Sequence, residues 1–131
     1  LIQIVAALAG VVAAHWMFEL PAFFASRHVR SGSSQIFSEA VATFGLITVI
    51  LNCARWKPEA VPAAVAAYIT AAYWFTASTS FANPAVTLAR SLTDTFAGIR
   101  PADAPAFIAA QFVGAATATG LHRWMATQKS S

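Results

Sequence analysis

The sequence contains little charge and almost no sulfur. Charged residues make up 10% of the 131 residues, and Cys53 is the single cysteine. A lone cysteine can form no disulfide framework within the chain and offers no pair of thiolates to a metal. The three histidines, at positions 15, 28 and 122, fit no Cys-x-x-Cys or His-Glu-x-x-His pattern. The sequence therefore predicts neither a metal site nor a cofactor.

The sequence also lacks the residue sets that catalysis and active transport require. Ser80 with His15 is the one pair that could be read as a hydrolase, and no third group or oxyanion motif accompanies it. An ion-coupled transporter needs several buried acids or histidines, and only Glu39 qualifies. The net charge of +3 comes without a basic patch, which argues against nucleic acid as a partner. We therefore expect no enzyme and no nucleic-acid-binding protein.

What the sequence does contain is long apolar stretches. It is 58% hydrophobic with a mean hydropathy of +0.62, which is unusual for a soluble domain of this size. Four stretches are each about long enough to cross a hydrocarbon core of roughly 30 Å, and they cover about residues 1–20, 36–54, 61–79 and 105–125. The sequence therefore predicts an all-α, multi-pass membrane protein with about four transmembrane helices, whose immediate partner is the lipid bilayer.

Two further expectations come from the first residue of the sequence and from the basic residues between the apolar stretches. The first residue is Leu1, which opens directly into an apolar stretch, so we expect a piece of a longer protein. Basic residues concentrate in the short connections, as in membrane proteins. If the spans alternate in direction, four basic residues lie on each side of the membrane, and Arg123 and Lys129 lie on the same side. This tie leaves the orientation undecided by charge.

Asn83-Pro84-Ala85 lies between the third and fourth apolar stretches. Asparagine is a good helix N-cap, and proline fits the first helical position because its missing N–H costs nothing there. The pair predicts a re-entrant half-helix over about residues 83–93, too short to span the membrane. If Asn83 caps through its oxygen, its amide hydrogens can point into a cavity. The positive end of the half-helix then repels cations and favours neutral, oxygen-bearing solutes.

Three motifs resemble the aquaporin (major intrinsic protein) family. They are FANPAVTLA at residues 81–89, QFVGA at residues 111–115 and SEAVATFGL at residues 38–46. The resemblance covers essentially the whole chain and is strongest to bacterial aquaglyceroporins associated with arsenic resistance. It implies an aquaporin-like helical bundle in which this chain matches the third to sixth spans and the second half-helix. The first two spans, the first Asn-Pro-Ala and the fourth filter residue have no counterpart here.

The resemblance also implies roles for particular residues. Asn83, Pro84 and Ala85 would lie at the pore centre. Glu39 would accept hydrogen bonds from the backbone of the re-entrant loop, whereas an alternative places it near the membrane surface, capping a helix after Ser38. A homotetramer with one pore per subunit is implied, in the inner (plasma) membrane of a bacterium. The loops that carry Arg27 and Arg90 would face outside, and Arg90 would complement the negative end of the half-helix.

The outer filter of the family is a ring of four side chains, usually with an arginine straight after Asn-Pro-Ala. That position is Val86 in this sequence, and the other expected filter residues are Ser80 and Ala71, with Thr70 as a one-residue shift. These uncharged side chains predict a wider, less polar constriction than a water filter. We expect passage of a polyol or a metalloid hydroxide such as undissociated arsenite. The alternatives are a water-selective channel, a narrow or non-conducting variant produced by Val86, and a half-unit that needs a partner half to form a pore.

Overall fold

The computed structural model describes residues 1–128, so Lys129 lies outside the described residues. Within that range the chain is helical and contains no strand. The helices are α1 (Ile2–Met17), α2 (Ser33–Trp56), α3 (Val61–Phe75), α4 (Pro84–Arg90) and α5 (Ala104–Gln128), and a 3₁₀ turn at Pro58–Ala60 leads into α3.

Two of these helices are long and apolar enough to cross a membrane. They are α2 and α5, with 24 and 25 residues, which at 1.5 Å per residue extend about 36 Å. Helices α1 and α3 have 16 and 15 residues and extend only about 22–24 Å. The all-helical prediction is confirmed within the described residues, whereas the arrangement with four transmembrane helices stays a prediction.

The helix ends differ from the apolar stretches where the backbone leaves helical geometry. The third stretch was expected to reach residue 79, but α3 ends at Phe75 because Thr76 is extended. The first stretch was expected to reach residue 20, but α1 ends at Met17, and Glu19 has a left-handed φ of 55°. The predicted stretches therefore extend three to four residues beyond the helices that they contain.

Small residues on α5 allow close packing against α2. Ala110, Gly114 and Ala118 are buried and recur every four residues, so they share one face of the helix. A Cβ atom at Gly114 would overlap the carbonyl oxygen of Ala40 and approach the Thr43 Cβ within 3.1 Å. Such close approach of backbones is how small residues favour helix association in lipid. The α2–α5 pair is therefore the central contact of the bundle.

The short helix α4 is placed by its neighbours on both sides. It contacts α1 and α5. The loop before it contributes Phe81 and the loop after it contributes Ile99 to a small buried cluster with Phe107 of α5. The Phe81 and Phe107 rings meet edge to face with their centroids 5.4 Å apart, a favourable aromatic geometry. This packing fixes the start of α4 inside the bundle.

Candidate functional site

Asn83 forms the N-cap of α4. Its side-chain Oδ1 accepts hydrogen bonds from the backbone N–H of Ala85 at 2.8 Å and of Val86 at 3.4 Å. Pro84 follows in the first helical turn, where a backbone N–H would have no acceptor within the helix, so its absence costs no hydrogen bond. Because the cap uses the oxygen, the two amide hydrogens of Asn83 remain available to another acceptor.

Three of the four residues before Asn83 have an unusual backbone conformation. Thr79, Ser80 and Ala82 have φ values of 59°, 49° and 47°, a left-handed region that non-glycine residues rarely adopt. Each such residue costs on the order of 1–3 kcal/mol and persists only where its surroundings hold it. The loop must therefore be fixed by contacts from other parts of the chain.

Glu39 provides one of these contacts. It lies two turns into α2 and is fully buried, so it does not cap the start of the helix, which begins at Ser33. Its Oε1 accepts the backbone N–H of Ala82 at 2.6 Å, and its Oε2 accepts that of Phe81 at 3.2 Å. Charge-assisted hydrogen bonds of this kind are the strong ones. The carboxylate thus connects α2 to the left-handed loop directly before Asn83.

Gln111 of α5 links the same carboxylate to the half-helix. Its Nε2 donates to Glu39 Oε1 at 2.7 Å and to Thr87 Oγ1 at 2.8 Å. Thr87 in turn donates from Oγ1 to the backbone carbonyl of Asn83 at 3.0 Å. Glu39, Gln111 and Thr87 are all buried, so the network connects three helices at the first turn of α4 without access to water.

Arg30 also holds the loop, and the sequence analysis did not predict this role. It is buried and donates to the backbone carbonyls of Ser78, Phe96 and Gly98 at 3.2, 3.0 and 2.7 Å. Burial, and then the nearby charge of Arg90, lower the pKa of Arg30 from its ordinary value. No local motif marks this residue, because its partners are backbone atoms 48 to 68 positions away.

A cavity of about 680 Å³ lies between α1 and the outer face of α4. Val86 and Ala89 of α4 form part of its wall. Most other lining residues are apolar, and its polar lining residues are His15, Arg90, Thr93 and Thr95. His15 is buried and engaged on both ring nitrogens, 2.9 Å from the Ala22 carbonyl oxygen and 2.7 Å from Thr93 Oγ1. The imidazole therefore has a structural role in joining α1 to the segment after α4.

The three expected filter residues occupy different environments. Val86 lines the cavity, whereas Ser80 is buried in the left-handed loop and its hydroxyl has no partner among the described residues. Ala71 is exposed on α3. Of these three residues, Val86 lines the cavity between α1 and α4, and Ser80 and Ala71 do not. Arg90 also lines that cavity, and Asp94, four residues after it, accepts the backbone N–H of Arg27 at 2.7 Å.

Residues 1–128 contain no cluster of three or more His, Cys, Asp or Glu side chains that could hold a metal ion. The polar groups of the site are instead hydrogen-bond donors and acceptors, held at the start of a short helix. Together with the apolar helices, they define an all-α membrane protein built around a capped half-helix.

Comparison with known proteins gives a relative of the same kind. Over 123 residues, which is 94% of its length, the chain is 57% identical to aquaglyceroporin AqpS of Rhizobium meliloti (strain 1021). The resemblance to the aquaporin (major intrinsic protein) family is thereby confirmed. The chain spans about half, 53%, of the length of this relative. No family model and no solved structure matches the chain.

Proposed function

We propose that the chain forms part of a passive channel for small neutral solutes, with Asn83, Pro84 and Ala85 at the pore centre. The observation that carries the proposal is the N-cap of α4, in which Asn83 Oδ1 receives the Ala85 N–H at 2.8 Å. This cap leaves the amide hydrogens of Asn83 free to donate to an oxygen-bearing solute. The chain is 57% identical to a protein named an aquaglyceroporin, which further supports the proposal.

The character of the filter follows from uncharged side chains. We propose that Val86, Ser80 and Ala71 belong to a wide and weakly polar constriction, completed by a residue from outside this chain. Such a ring favours a polyol or a metalloid hydroxide such as undissociated arsenite over strict selection of water. In this role Glu39 supports the re-entrant loop, because its carboxylate receives the Phe81 and Ala82 N–H groups.

Assembly and location complete the proposal. We propose a homotetramer in the inner membrane of a bacterium, in which each subunit has its own pore, with no enzymatic role. A second candidate is a half-unit that conducts only when another half joins it. In that case the second half-helix comes from the partner, because the described residues contain one capped half-helix, α4.

Vesicle measurements on the complete product of the gene test the proposal. Reconstituted liposomes are exposed to gradients of glycerol, arsenite and an impermeant osmolyte, and volume changes are followed by stopped-flow light scattering. We expect glycerol and arsenite entry above that of empty vesicles, without dependence on a proton gradient. Water permeation alone would support the water-selective alternative. Flux that appears only after mixing with a second half would support the half-unit.

A further inference from the structure

A second, smaller groove lies between α2 and α5, near the middle of both helices. It has a volume of about 160 Å³ and is lined by Ala40, Val41, Phe44, Val113, Gly114 and Thr117. Val41, Val113 and Thr117 are exposed. Because Val113 and Gln111 are two positions apart, their side chains point about 200° apart around α5, and Gln111 points to Glu39. The groove therefore opens away from the buried hydrogen-bond network.

Helices α2 and α5 run side by side in the same direction. Just before their first turns, the backbone N–H of Arg30 donates to Asp103 Oδ2 at 3.0 Å. Further along, a Cβ atom at Gly114 would lie 3.0 Å from the backbone nitrogen of Phe44. Both contacts join positions at similar distances from the two helix starts. The C-terminal ends of α2 and α5 therefore lie at the same end of the bundle.

Arg55 and Trp124 continue the two walls of the groove towards these C-terminal ends. Arg55 lies eleven residues after Phe44, and Trp124 lies eleven residues after Val113. Eleven residues are three helical turns to within about 20°, so each pair shares a helix face, about 16 Å apart. This distance is about half of a hydrocarbon core of roughly 30 Å. The two side chains thus lie one lipid leaflet away from the groove.

The end of the groove at Arg55 is cationic and aromatic. Arg55 is exposed, and its Cζ lies 5.3 Å from the centroid of the Trp56 ring. Within residues 1–128 the ion pair that forms joins Arg100 to Asp103, so Arg55 has no carboxylate partner there. Trp124 is 60% exposed. Exposed tryptophan and arginine at the ends of apolar helices are typical of the level of lipid headgroups.

We propose that an anionic phospholipid of the surrounding membrane binds along this groove, with its phosphate at Arg55 and one acyl chain over Phe44 and Val113. The inference goes beyond the proposed channel function and requires only that α2 and α5 lie in a membrane. A guanidinium binds phosphate through charge-assisted hydrogen bonds, and Trp124 lies at the level of the glycerol backbone. A second copy of the chain is a poorer occupant, because Glu59 is the one carboxylate that the described residues carry at this end.

Lipid binding to the complete gene product in a mild detergent tests the proposal. Native mass spectrometry counts bound phosphatidylglycerol and, separately, phosphatidylcholine with the same acyl chains. We expect phosphatidylglycerol to bind more tightly, and Arg55→Gln to weaken its binding roughly fivefold. Arg123→Gln is the matched control, because Arg123 is exposed at the same end but points about 180° away from Gly114. We expect this control to bind as the wild type does.

Filling the groove tests the acyl chain. We expect Thr117→Trp to abolish the preference for phosphatidylglycerol and to unfold near the wild-type temperature in lipid-free detergent, because the Thr117 hydroxyl bonds within its own helix. Inorganic phosphate, tested by thermal unfolding, should not replace the lipid.

Equal binding of the two lipids overturns the inference, as does equal weakening by Arg55→Gln and Arg123→Gln. Stabilisation by inorganic phosphate as large as that by phosphatidylglycerol overturns the role of the acyl chain. A Thr117→Trp protein that changes its subunit number and keeps its lipid shows that a second copy occupies the groove instead. The Arg55 and Arg123 variants decide the inference even where Thr117→Trp folds poorly. Neither readout requires solute flux, so failure of the channel proposal is observed separately.

Discussion

Glu39 and Gln111 meet in a buried hydrogen bond of 2.7 Å, from the amide nitrogen to a carboxylate oxygen that also receives the Ala82 N–H. This bond joins α2 to α5 directly beneath the residue pair that starts α4. A carboxylate buried in an apolar bundle is stable only when its lone pairs are satisfied. Here the satisfying groups belong to the re-entrant loop and to a second long helix, so one acidic side chain connects the scaffold with the half-helix.

Replacing the Glu39 carboxylate by an amide weakens the support of the loop. Glu39→Gln removes the negative charge from bonds to Phe81 N–H and Ala82 N–H, so we expect a loss of roughly 1.5–3 kcal/mol of stability and reduced solute flux. Thermal unfolding in detergent and vesicle flux are the measurements. Glu59→Gln is the control because Glu59 is exposed. A Glu39→Gln protein with wild-type stability and flux would show that the carboxylate does not hold the loop.

The coupling between Glu39 and Gln111 is testable by a double-mutant cycle. We expect Gln111→Leu and Glu39→Gln to be non-additive by about 0.5–3 kcal/mol, since both changes alter one hydrogen bond. Unfolding free energies of the two single variants and the double variant give the coupling. Thr117→Val provides a comparison on the same helix, because Thr117 is exposed and its hydroxyl bonds within α5. Simple additivity of the Glu39 and Gln111 changes would contradict the network.

Two substitutions at Asn83 separate its cap from its donors. Asn83→Ala removes the bonds to Ala85 and Val86, and we expect a loss of about 1 kcal/mol. Asn83→Asp keeps an oxygen cap and places a negative charge at the positive end of α4, where it is favourable. We therefore expect Asn83→Asp to unfold near the wild-type temperature while losing glycerol flux. Full flux in Asn83→Asp would argue that the amide hydrogens do not contact the solute.

We expect replacement of glycine by alanine to have opposite effects on stability at two positions of α5. At Gly114 a Cβ would overlap Ala40 O and lie 3.0 Å from Phe44 N, so we expect Gly114→Ala to cost about 1–3 kcal/mol. At Gly120 a Cβ would meet nothing within 4 Å, so Gly120→Ala gains helix propensity of up to roughly 1 kcal/mol. Equal unfolding temperatures for both variants would contradict the close α2–α5 packing.

Acid stability depends on Asp103, at the entrance to α5. The hydrogen bond from Arg100 lowers the pKa of this carboxyl, and the Arg30 backbone N–H contributes as well. A carboxyl whose pKa is lower in the folded state stabilises the fold above its unfolded pKa, and this contribution is lost as the pH falls through the folded pKa. We expect the unfolding temperature to drop below about pH 4, and Asp103→Asn to flatten that dependence. An unchanged acid profile in Asp103→Asn would contradict the assignment.

Local patterns predicted the start of the half-helix but not what holds it. Asn83 followed by Pro84 indicates a helix start in any context, and α4 begins at Pro84. The end of α3 at Phe75 and the left-handed Thr79, Ser80 and Ala82 carry no such signal. Their conformation is imposed by partners far away in the sequence, so propensity and hydropathy could not reveal it.

Long-range side-chain roles were partly accessible from the sequence. Glu39 was conspicuous because a carboxylate in an apolar stretch needs a partner, and the structure supplies backbone N–H groups of the loop. Arg30 lies in a connection where basic residues are common in membrane proteins, and nothing local distinguishes it from the exposed Arg27. Arg90 was expected to complement the dipole of α4, and no local pattern indicates that its guanidinium lies over the Phe81 ring.

Stopped-flow entry of glycerol into liposomes is the measurement that bears most directly on the proposed channel. It uses the complete gene product beside Asn83→Asp, with empty vesicles as the baseline. The account predicts glycerol entry above the baseline for the wild-type protein, unaffected by collapse of a proton gradient and lost in Asn83→Asp. Wild-type entry no faster than in empty vesicles, or equal entry with Asn83→Asp, would contradict it.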